Sequence, residues 1–434
     1  MELLGRKATV MGLGRHGGGV AAARWLAEQG AVVTVTDVLD ERVLADSIAE
    51  LKDTPIANWR LAEHCPHDFS RAELLVVNPA VRPDDRFVAL ARAANVPITS
   101  EIELFLTRCP ARVIGVTGSN GKSSTAAMIA ALLEATGRRT WLGGNIGRSL
   151  LADLTEMTAD DWVVLELSSF QLHCLGDEAP WPQIAVVTNC TSNHLDWHGT
   201  FDRYAAAKQR LLRNQSCHGT AVLNGGDPIV RSWQRLVRGR LILIDDDDGL
   251  PPLAVPGQHQ RRNASCAAGV AMAAGCSAEA IHRGLQTFGG LPHRLQFVAE
   301  VDGRRFYNDS MATTPESVMA AVAAFGEGAW FLVGGYDKGF DYAAMAAELA
   351  RAARGVACYG AAREQISELV ARAPARRGDV ASFVTLDQAF AWCCAQARPR
   401  EAIVLSPACA SYDQFRDYRH RGEAFIALVR ALVE

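Results

Sequence analysis

The segment Val113–Ser123 constrains the fold most, because an apolar run leads directly into the sequence Gly-Ser-Asn-Gly-Lys-Ser. A glycine turn between a strand and a helix points backbone N–H groups at phosphate. In such a turn Lys122 can reach the outer phosphates and Ser123 can hold Mg²⁺. The spacing departs from the standard phosphate loop, since five residues and not four separate Gly115 from Gly121. A structural helix-start turn is the alternative, but Gly-Lys-Ser directly after a buried strand favours ATP binding.

The rest of the chain shows the same alternation of short apolar runs and helical stretches, which favours parallel sheets. A chain of 434 residues is too long for one core, because single cores stop growing at about 250–300 residues. We therefore predict an α/β protein with domains 1–98, 99–292 and 293–434, the helix Asn263–Ala274 closing the middle one. Strands are predicted at Ala8–Met11, Val32–Thr36, Leu74–Val77, Arg112–Thr117, Trp162–Leu167, Ile184–Thr188, Thr220–Leu223, Trp330–Val333, Val356–Tyr359 and Ala402–Leu405.

The first block carries a second glycine pattern, Gly12-x-Gly14-x-x-Gly17, with Asp37 twenty residues further on. This is the dinucleotide fingerprint, in which the glycines cradle a diphosphate and the acid meets a ribose. Taken alone it indicates NAD. The same geometry can cradle any nucleotide diphosphate, so a nucleotide-linked substrate is the other interpretation.

Candidate metal ligands stand at the ends of two predicted strands of the middle block. Glu166 ends an apolar run, where a carboxylate is costly to bury unless it is paired or metal-bound. His194 lies just past the next strand. Each alone is compatible with a structural role, but beside a phosphate loop the pair favours Mg²⁺, which takes few protein ligands. Three polar loops of the last block are predicted to face one cleft: Asn308–Ser310, Gly334–Gly339 and Ser406–Ser411.

Composition narrows the function classes. The formal net charge is -4, and without a clustered basic surface we expect no nucleic-acid or membrane partner. No stretch reaches the ~20 apolar residues of a membrane span, and Met1–Lys7 does not resemble a signal peptide. Eleven cysteines without paired spacing indicate a reducing compartment, and hence the cytoplasm. The run Asp245–Asp248 is predicted to be a solvated loop and not a metal site.

These motifs, in this order and over essentially the whole chain, resemble the Mur ligases of peptidoglycan synthesis. The resemblance implies a Rossmann-like UDP-binding domain, a central ATPase domain with the phosphate loop, and a Rossmann-like C-terminal domain that binds the amino acid. It is carried by VTGSNGKS (Val116–Ser123), GGNIG (Gly143–Gly147), ELSSFQL (Glu166–Leu172), NHLD (Asn193–Asp196), YAAAK (Tyr204–Lys208), GQH (Gly257–His259), GLPHR (Gly290–Arg294), NDS (Asn308–Ser310) and SPACASYDQF (Ser406–Phe415).

The resemblance also implies roles for single residues. ATP would be bound by Gly118, Ser119, Asn120, Gly121, Lys122, Ser123, Ser124, Asn263, Arg294 and Asp309. The UDP end of the substrate would meet Arg15, His16 and Asp37, its sugar–alanine portion Asn145 and Ser168, and glutamate Lys338, Ser411 and Tyr418. The catalytic set would be Lys122, Glu166, His194 and Lys208, and the metal set Ser123, Glu166, His194 and Lys208, with Lys208 carbamylated.

The implied reaction is ATP-dependent amide formation by way of an acyl phosphate, in a monomer that uses Mg²⁺. The substrates would be UDP-N-acetylmuramoyl-L-alanine, ATP and D-glutamate. Met311 stands where many members have lysine, and Gln260 where the family often has asparagine, so the ligase that adds L-glutamate is the alternative. An NAD-dependent oxidoreductase, a folylpolyglutamate-type ligase and a non-catalytic nucleotide sensor are the rival classes. Each leaves one of the motifs without a use.

Overall fold

The computed structural model describes residues 2–15, 17–176, 181–245, 249–374 and 376–433. His16 and residues 246–248 of the acidic run therefore lie outside the described residues. The chain divides into two compact units. One comprises Met1–Asp248 and Arg262–Ile281, and the other comprises Gly249–Arg261 and His282–Glu434. In the described part of the chain, no helix has the length and apolarity needed to cross a membrane.

The first sheet of the first unit has five parallel strands in the order β3-β2-β1-β4-β5. Its strands are β1 Lys7–Met11, β2 Val32–Asp37, β3 Ile56–Leu61, β4 Leu74–Val77 and β5 Ile98–Thr99. Its helices are α1 Gly18–Glu28, α2 Ala45–Ala49, α3 Pro66–Ser70, α4 Arg86–Ala93 and α5 Glu101–Leu106. The strands β1, β2 and β4 were predicted from the sequence. The strand β3 was not, because it is a partly exposed edge strand without a continuous apolar run.

The second sheet of this unit has six parallel strands in the order β11-β10-β9-β6-β8-β7. Its strands are β6 Arg112–Thr117, β7 Thr140–Gly144, β8 Trp162–Glu166, β9 Ile184–Val187, β10 Thr220–Asn224 and β11 Arg240–Ile244. Its helices are α6 Lys122–Glu134, α7 Ser169–Cys174, α8 Leu195–His198, α9 Phe201–Arg213 and α10 Pro228–Ser232. Two further helices, α11 Gln258–Ala273 and α12 Ala278–Thr287, each begin in one unit and end in the other. The two strands that the prediction missed, β7 and β11, lie at the edges.

The second unit is built on a six-stranded sheet in the order β12-β13-β17-β14-β15-β16. Only the pair β12–β13 is antiparallel among its strand pairs in the described residues. Its strands are β12 Gln296–Val301, β13 Arg304–Asn308, β14 Ala329–Gly334, β15 Gly355–Tyr359, β16 Asp379–Phe383 and β17 Ala402–Ala408. Its helices are α13 Pro315–Phe325, α14 Ala343–Ala352, α15 Arg363–Arg372, α16 Leu386–Gln396 and α17 Tyr418–Arg430.

The central strands are buried on both faces, which explains why they read as continuous apolar runs. All five residues of β8, including Glu166, are buried, as are all six of β14. One apolar cluster runs through both sheets of the first unit, and two clusters cover the two faces of the third sheet. The predicted α/β class is therefore confirmed, and each predicted strand is present. Its ends coincide with the prediction or differ by one residue, except that β17 ends three residues later, at Ala408. The domain boundaries near 98 and 292 remain predictions.

Candidate active site

The turn between β6 and α6 has the geometry of a phosphate-binding loop. Gly118 and Gly121 both have positive φ, and Gly121 is the residue that precedes α6. The Lys122 ammonium folds back and donates to the Ser119 carbonyl at 2.9 Å. The first N–H groups of α6 and its positive dipole end therefore face the concave side of the turn, where an anion is stabilised.

The loop is held in place by polar residues that follow β9. Asn189 makes both amide contacts with Asn120: its Oδ1 accepts from the Asn120 N–H at 2.8 Å, and its Nδ2 donates to the Asn120 carbonyl at 2.9 Å. Thr188 donates to the same carbonyl at 2.7 Å. A side chain at Gly118 would collide with the Thr188 hydroxyl, since its Cβ would lie 1.9 Å away. The loop shape thus depends on residues that the motif itself does not contain.

Asn263, on α11, lies against this loop, as expected for a residue that contacts ATP. A Cβ on Gly121 would lie 2.3 Å from the Asn263 Oδ1. Asn263 is buried and belongs to the first unit together with the loop. The structure therefore brings the seven loop positions and Asn263 together.

Glu166, at the end of β8, carries a buried carboxylate with one oxygen in use. Its Oε1 accepts from the Asn145 Nδ2 at 2.9 Å, and its backbone carbonyl accepts from the Asn145 N–H at 2.8 Å. The other oxygen, Oε2, is buried without a hydrogen-bond partner among the described residues. A buried carboxylate oxygen without a hydrogen-bond partner can donate an electron pair to a divalent cation. Glu166 therefore fits the role of a metal ligand.

His194 directly precedes α8 and has a left-handed backbone conformation with φ of 54°. Non-glycine residues in this conformation are uncommon, and they concentrate at functional sites. Burial lowers the pKa of His194, with Asp196 opposing and with Lys208 and Lys122 adding to the effect. The neutral imidazole that results is the form that can ligate a metal.

Lys208, on α9, is buried and points at the phosphate loop. Its ammonium donates to the Gly118 carbonyl at 2.7 Å and lies 4.7 Å from the centre of the Tyr204 ring. Tyr204 in turn shares a 2.8 Å hydrogen bond with the Ser119 hydroxyl. Burial, helped by the charge of Lys122, lowers the pKa of Lys208 to about 7. Lys208 is therefore a partly neutral amine near pH 7, unlike a solvated lysine.

The metal set is only partly assembled by protein atoms. Among the described residues, no three His, Cys, Asp or Glu side chains converge as a closed metal site would require. Glu166, Lys208 and Lys122 are nonetheless close enough for their charges to interact, and so are His194 and both lysines. An open site of this kind fits Mg²⁺, which keeps several water or phosphate ligands.

The glycine turn of the first sheet joins β1 to α1. Gly12, Gly14 and Gly17 all have positive φ. Asp37 is buried, and its two oxygens accept from the N–H groups of Gly14 at 3.0 Å and Leu39 at 2.9 Å. Asp37 thus shapes the turn directly, a use of this acid that the motif alone does not indicate.

A cavity of about 390 Å³ in the first unit adjoins this turn. Among the predicted substrate residues, Asn145 and Ser168 line it, whereas Arg15 and Asp37 are not among its walls. Ser168 also caps α7, accepting from the Gln171 N–H at 3.2 Å. Gly12 of the turn, the first two residues of α1 and Glu101 also line the cavity, which therefore has the mixed lining of a polar-ligand site.

In the second unit, Asp309 follows β13 and is almost fully enclosed. It accepts from the Ser406 hydroxyl at 2.9 Å and from the Leu295 N–H at 3.0 Å. Burial nevertheless raises the pKa of Asp309 to about 7. The neighbouring Arg294 lies 3.7 Å from the sulfur of Met311. Asp309 and Arg294, both predicted to contact ATP, therefore lie on adjoining segments.

The predicted glutamate residues lie on loops that are joined by backbone contacts. Tyr336 donates its N–H to the Ala410 carbonyl at 2.9 Å, which brings the loop of exposed Lys338 beside that of buried Ser411. Tyr418, the first residue of α17, accepts at its carbonyl from the Ser310 hydroxyl at 2.7 Å. The structure thus places the three loops next to one another.

Arg421 is the residue that ties these loops together, and sequence reasoning missed it. It is fully buried, and it donates to the hydroxyl and the carbonyl of Ser310 and to the carbonyls of Cys409 and Ala410, at 2.8–3.1 Å. All four acceptors are neutral, so the guanidinium brings a positive charge close to the loops. An arginine in α17 gives no such signal in sequence.

These features define an α/β protein with a phosphate-binding loop and an adjoining carboxylate, imidazole and buried lysine. Two family models match it: the Mur ligase middle domain over residues 116–250, and the Mur ligase glutamate ligase domain over residues 293–409. The chain belongs to the Mur ligase family.

Relatives match along the whole chain. A UDP-N-acetylmuramoylalanine–D-glutamate ligase of Roseiflexus sp. is 35% identical, covering 99% of this chain and 100% of the relative. One of Geotalea uraniireducens is 36% identical, covering 100% and 99%. Among solved structures, UDP-N-acetylmuramate–alanine ligase MurC of Thermotoga maritima aligns with a TM-score of 0.58 at 18% identity, covering 98% of this chain and 99% of that one. This last likeness bears on the fold alone.

Proposed function

We propose that this protein is an ATP-dependent ligase that adds D-glutamate to UDP-N-acetylmuramoyl-L-alanine in peptidoglycan synthesis. The observation that carries the proposal is the full-length similarity, at about 35% identity, to relatives named for that reaction. The eleven cysteines, all described and all free thiols, fit a reducing compartment, and we place the reaction in the cytoplasm. We further propose that the protein acts as a monomer.

ATP supplies the leaving group that a carboxylate lacks. The alanyl carboxylate of the acceptor attacks the γ-phosphorus of ATP, ADP departs, and an acyl phosphate forms. The loop N–H groups and Lys122 offset the charge on the transferring phosphoryl group. The amine of glutamate then attacks the acyl carbon, loses a proton, and expels phosphate from the tetrahedral intermediate.

Glu166 and His194, with Ser123, would hold Mg²⁺. The unpartnered oxygen of Glu166 and the neutral imidazole of His194 support this assignment. Mg²⁺ would supply positive charge beside the phosphates. Asn145 keeps the Glu166 carboxylate oriented through its 2.9 Å hydrogen bond.

Lys208 would act as a carbamate, as the family resemblance implies. A carbamate forms when a neutral amine attacks carbon dioxide, and the pKa of about 7 gives Lys208 a substantial neutral fraction near pH 7. The modified side chain would carry negative charge, which favours a metal ion held by Glu166 and His194. This would remove the positive charge that burial disfavours.

The remaining roles follow the two units. Asn263 and the phosphate loop of the first unit, and Arg294 and Asp309 of the second, would contact ATP. We propose that Arg15, His16 and Asp37 meet the UDP end of the acceptor and that Asn145 and Ser168 meet its sugar–alanine portion. Lys338, Ser411 and Tyr418 would bind glutamate. The domains that we propose remain 1–98, 99–292 and 293–434.

A second candidate, the ligase that adds L-glutamate, is favoured by one observation. Met311 stands where many family members have lysine, and its sulfur meets Arg294 instead. Thr313 or Thr314, just beyond, could offer hydroxyl donors to the α-carboxylate in its place. Hydroxyls hold a carboxylate less strongly than a cation does.

Phosphate release with UDP-N-acetylmuramoyl-L-alanine, ATP and each glutamate enantiomer tests the proposal. We expect kcat/KM for D-glutamate to exceed that for L-glutamate by about 100-fold, since moving the attacking amine by about 1 Å can cost that much. A preference for L-glutamate would select the second candidate and leave the acyl-phosphate chemistry intact. Without phosphate release for either enantiomer, the ligase assignment fails.

A further inference from the structure

Glu101 places a carboxylate in the wall of the cavity of the first unit. It is the first residue of α5, and it lines this cavity together with Asn145 and Ser168. Its Oε1 accepts a short hydrogen bond from the Ser149 hydroxyl. Burial raises the pKa of Glu101, with the Ser149 hydrogen bond opposing the change. Acidic side chains are rarely buried unless they are paired, so a mostly enclosed carboxylate that faces a cavity indicates a functional role.

The position of Glu101 in the first turn of α5 does not by itself explain why its carboxylate faces the cavity. Glu103, an acid in the same turn, differs from Glu101 in its surroundings. The Glu103 carboxylate accepts from the Thr99 hydroxyl at 2.9 Å and from the Gly176 N–H at 2.7 Å, so both of its oxygens serve the fold. Glu103 is not part of the cavity lining. A carboxylate offers about four acceptor sites, and Ser149 uses one of those on Glu101.

The partner of Glu101 belongs to a segment that also contacts the proposed metal ligand. Ser149 and Asn145 lie on the loop that follows β7. Asn145 holds Glu166 through two hydrogen bonds, from its side chain at 2.9 Å and from its backbone N–H at 2.8 Å. The loop therefore contacts Glu101 at one end and Glu166 at the other.

We propose that Glu101 is a specificity-determining residue for the nucleotide-linked acceptor, accepting a hydrogen bond from an N–H or O–H of its uncharged sugar–amide portion. This rests on the proposed function. A carboxylate attracts such donors and repels phosphate and carboxylate groups. It therefore orients the acceptor, with the diphosphate toward the glycine turn and the alanyl carboxylate away from Glu101.

The test compares three variants by steady-state kinetics. Glu101→Gln keeps the shape but loses the charge, and it should raise KM for the acceptor about tenfold, because a hydrogen bond to a neutral acceptor is weaker than one to a charged carboxylate. Glu101→Ala should raise it further. KM for ATP should stay within about twofold. Glu103→Gln, in the same helical turn, is the matched control and should leave KM for the acceptor unchanged.

Equal rises in KM for ATP and for the acceptor would indicate general distortion and overturn the inference, as would an unchanged acceptor KM in both Glu101 variants. Thermal melting shows whether each variant is folded. If Glu101→Ala does not fold, Ser149→Ala takes its place and should raise acceptor KM by a smaller factor. If the wild type shows no turnover, the proposed function fails. Calorimetric binding of UDP-N-acetylmuramoyl-L-alanine to wild type and Glu101→Gln then still decides the role of Glu101.

Discussion

At the scale of single residues, the main feature is a set of charges held out of water beside the phosphate loop. Glu166 and Lys208 are both almost fully buried, although each charge is costly to bury. Their positions are explained if both act on a metal–phosphate complex that is charged itself. Two variants examine this explanation, one for each residue.

Glu166→Ala removes the carboxylate that we assign to Mg²⁺. We expect kcat to fall by orders of magnitude, because charge on the transferring phosphoryl group would no longer be offset. Chelation of Mg²⁺ should abolish turnover of the wild-type protein. Asp161→Ala, which removes an acid bonded to Trp141 and Thr158, serves as a control for the loss of a buried carboxylate. Near-normal turnover in Glu166→Ala would remove this residue from the mechanism.

Lys208→Ala removes the proposed carbamate. Activity should fall sharply and then return in part when short carboxylates such as formate or acetate are added, since these can occupy the space of the missing group. The measurement is initial rate against carboxylate concentration, with Lys122→Ala as a variant that added carboxylate should not rescue. Full activity of Lys208→Ala without any addition would show that Lys208 is not part of the chemistry.

The sequence predicts the role of a single residue only where that residue breaks a local pattern or belongs to a contiguous motif. Glu166 was found because a carboxylate ends an apolar run, and the loop residues because their motif is contiguous. Tyr204 and Arg421 could not be assigned roles by such reasoning. Their partners, Ser119 and Cys409 among them, are brought to them only by the folded chain. Lys208 was assigned through the family resemblance and not through its own surroundings.

At the scale of elements, two strand–glycine turn–helix units occur in the first unit, and they differ in how the turn is held. The β6–α6 turn is held by residues after β9, Thr188 and Asn189. The β1–α1 turn is held by Asp37 at the end of β2. Each oxygen of the buried Asp37 accepts one backbone hydrogen bond, so Asp37 fixes the shape of this turn.

We expect the first sheet to bind UDP and not NAD, as the proposed function requires. A ligand at about 100 times its Kd adds about 2.7 kcal/mol to the free energy of unfolding, so UDP should raise the thermal midpoint measurably. Scanning calorimetry with UDP, NAD and no ligand checks this. Gly14→Val should weaken the response to UDP, because Gly14 has a φ of 64° that valine rarely adopts. Stabilisation by NAD with none by UDP would reverse the assignment.

Central strands could be predicted and edge strands could not, for a physical reason. A strand covered on both faces is apolar along most of its length, as β6, β8 and β14 are. An edge strand such as β3 or β16 is partly exposed, so its sequence carries no continuous apolar run. The two antiparallel strands β12 and β13 likewise mix charged and apolar residues.

At the scale of the whole molecule, the residues that we assign to ATP are divided between the two compact units. Asn263 and the phosphate loop belong to the first, Arg294 and Asp309 to the second. The prediction placed the helix Asn263–Ala274 in the middle domain, but it did not foresee that Gly249–Arg261 belongs to the second unit.

Arg294→Ala and Asn263→Ala should therefore each weaken the binding of a non-hydrolysable ATP analogue with Mg²⁺, measured by calorimetry. UDP, which we assign to the first unit alone, should bind both variants as it binds the wild type. Unchanged affinity for the analogue in Arg294→Ala would argue against an ATP contact from the second unit.

After Asp248 the chain enters the second unit, returns to the first through α11, and leaves it again through α12. This path sets the order in which the two units can be completed during synthesis on the ribosome. Residues Gly249–Arg261 emerge before most of their own unit exists, since Tyr307 donates to the Ala254 carbonyl at 3.1 Å and Val255 packs in a core made of later residues. The first unit is incomplete until the segment Arg262–Ile281, which contains Asn263, has been synthesised. A nascent chain halted at Asp248 would thus carry a phosphate loop without the asparagine that lies against it, and nucleotide could not stabilise it fully until translation had passed Ile281.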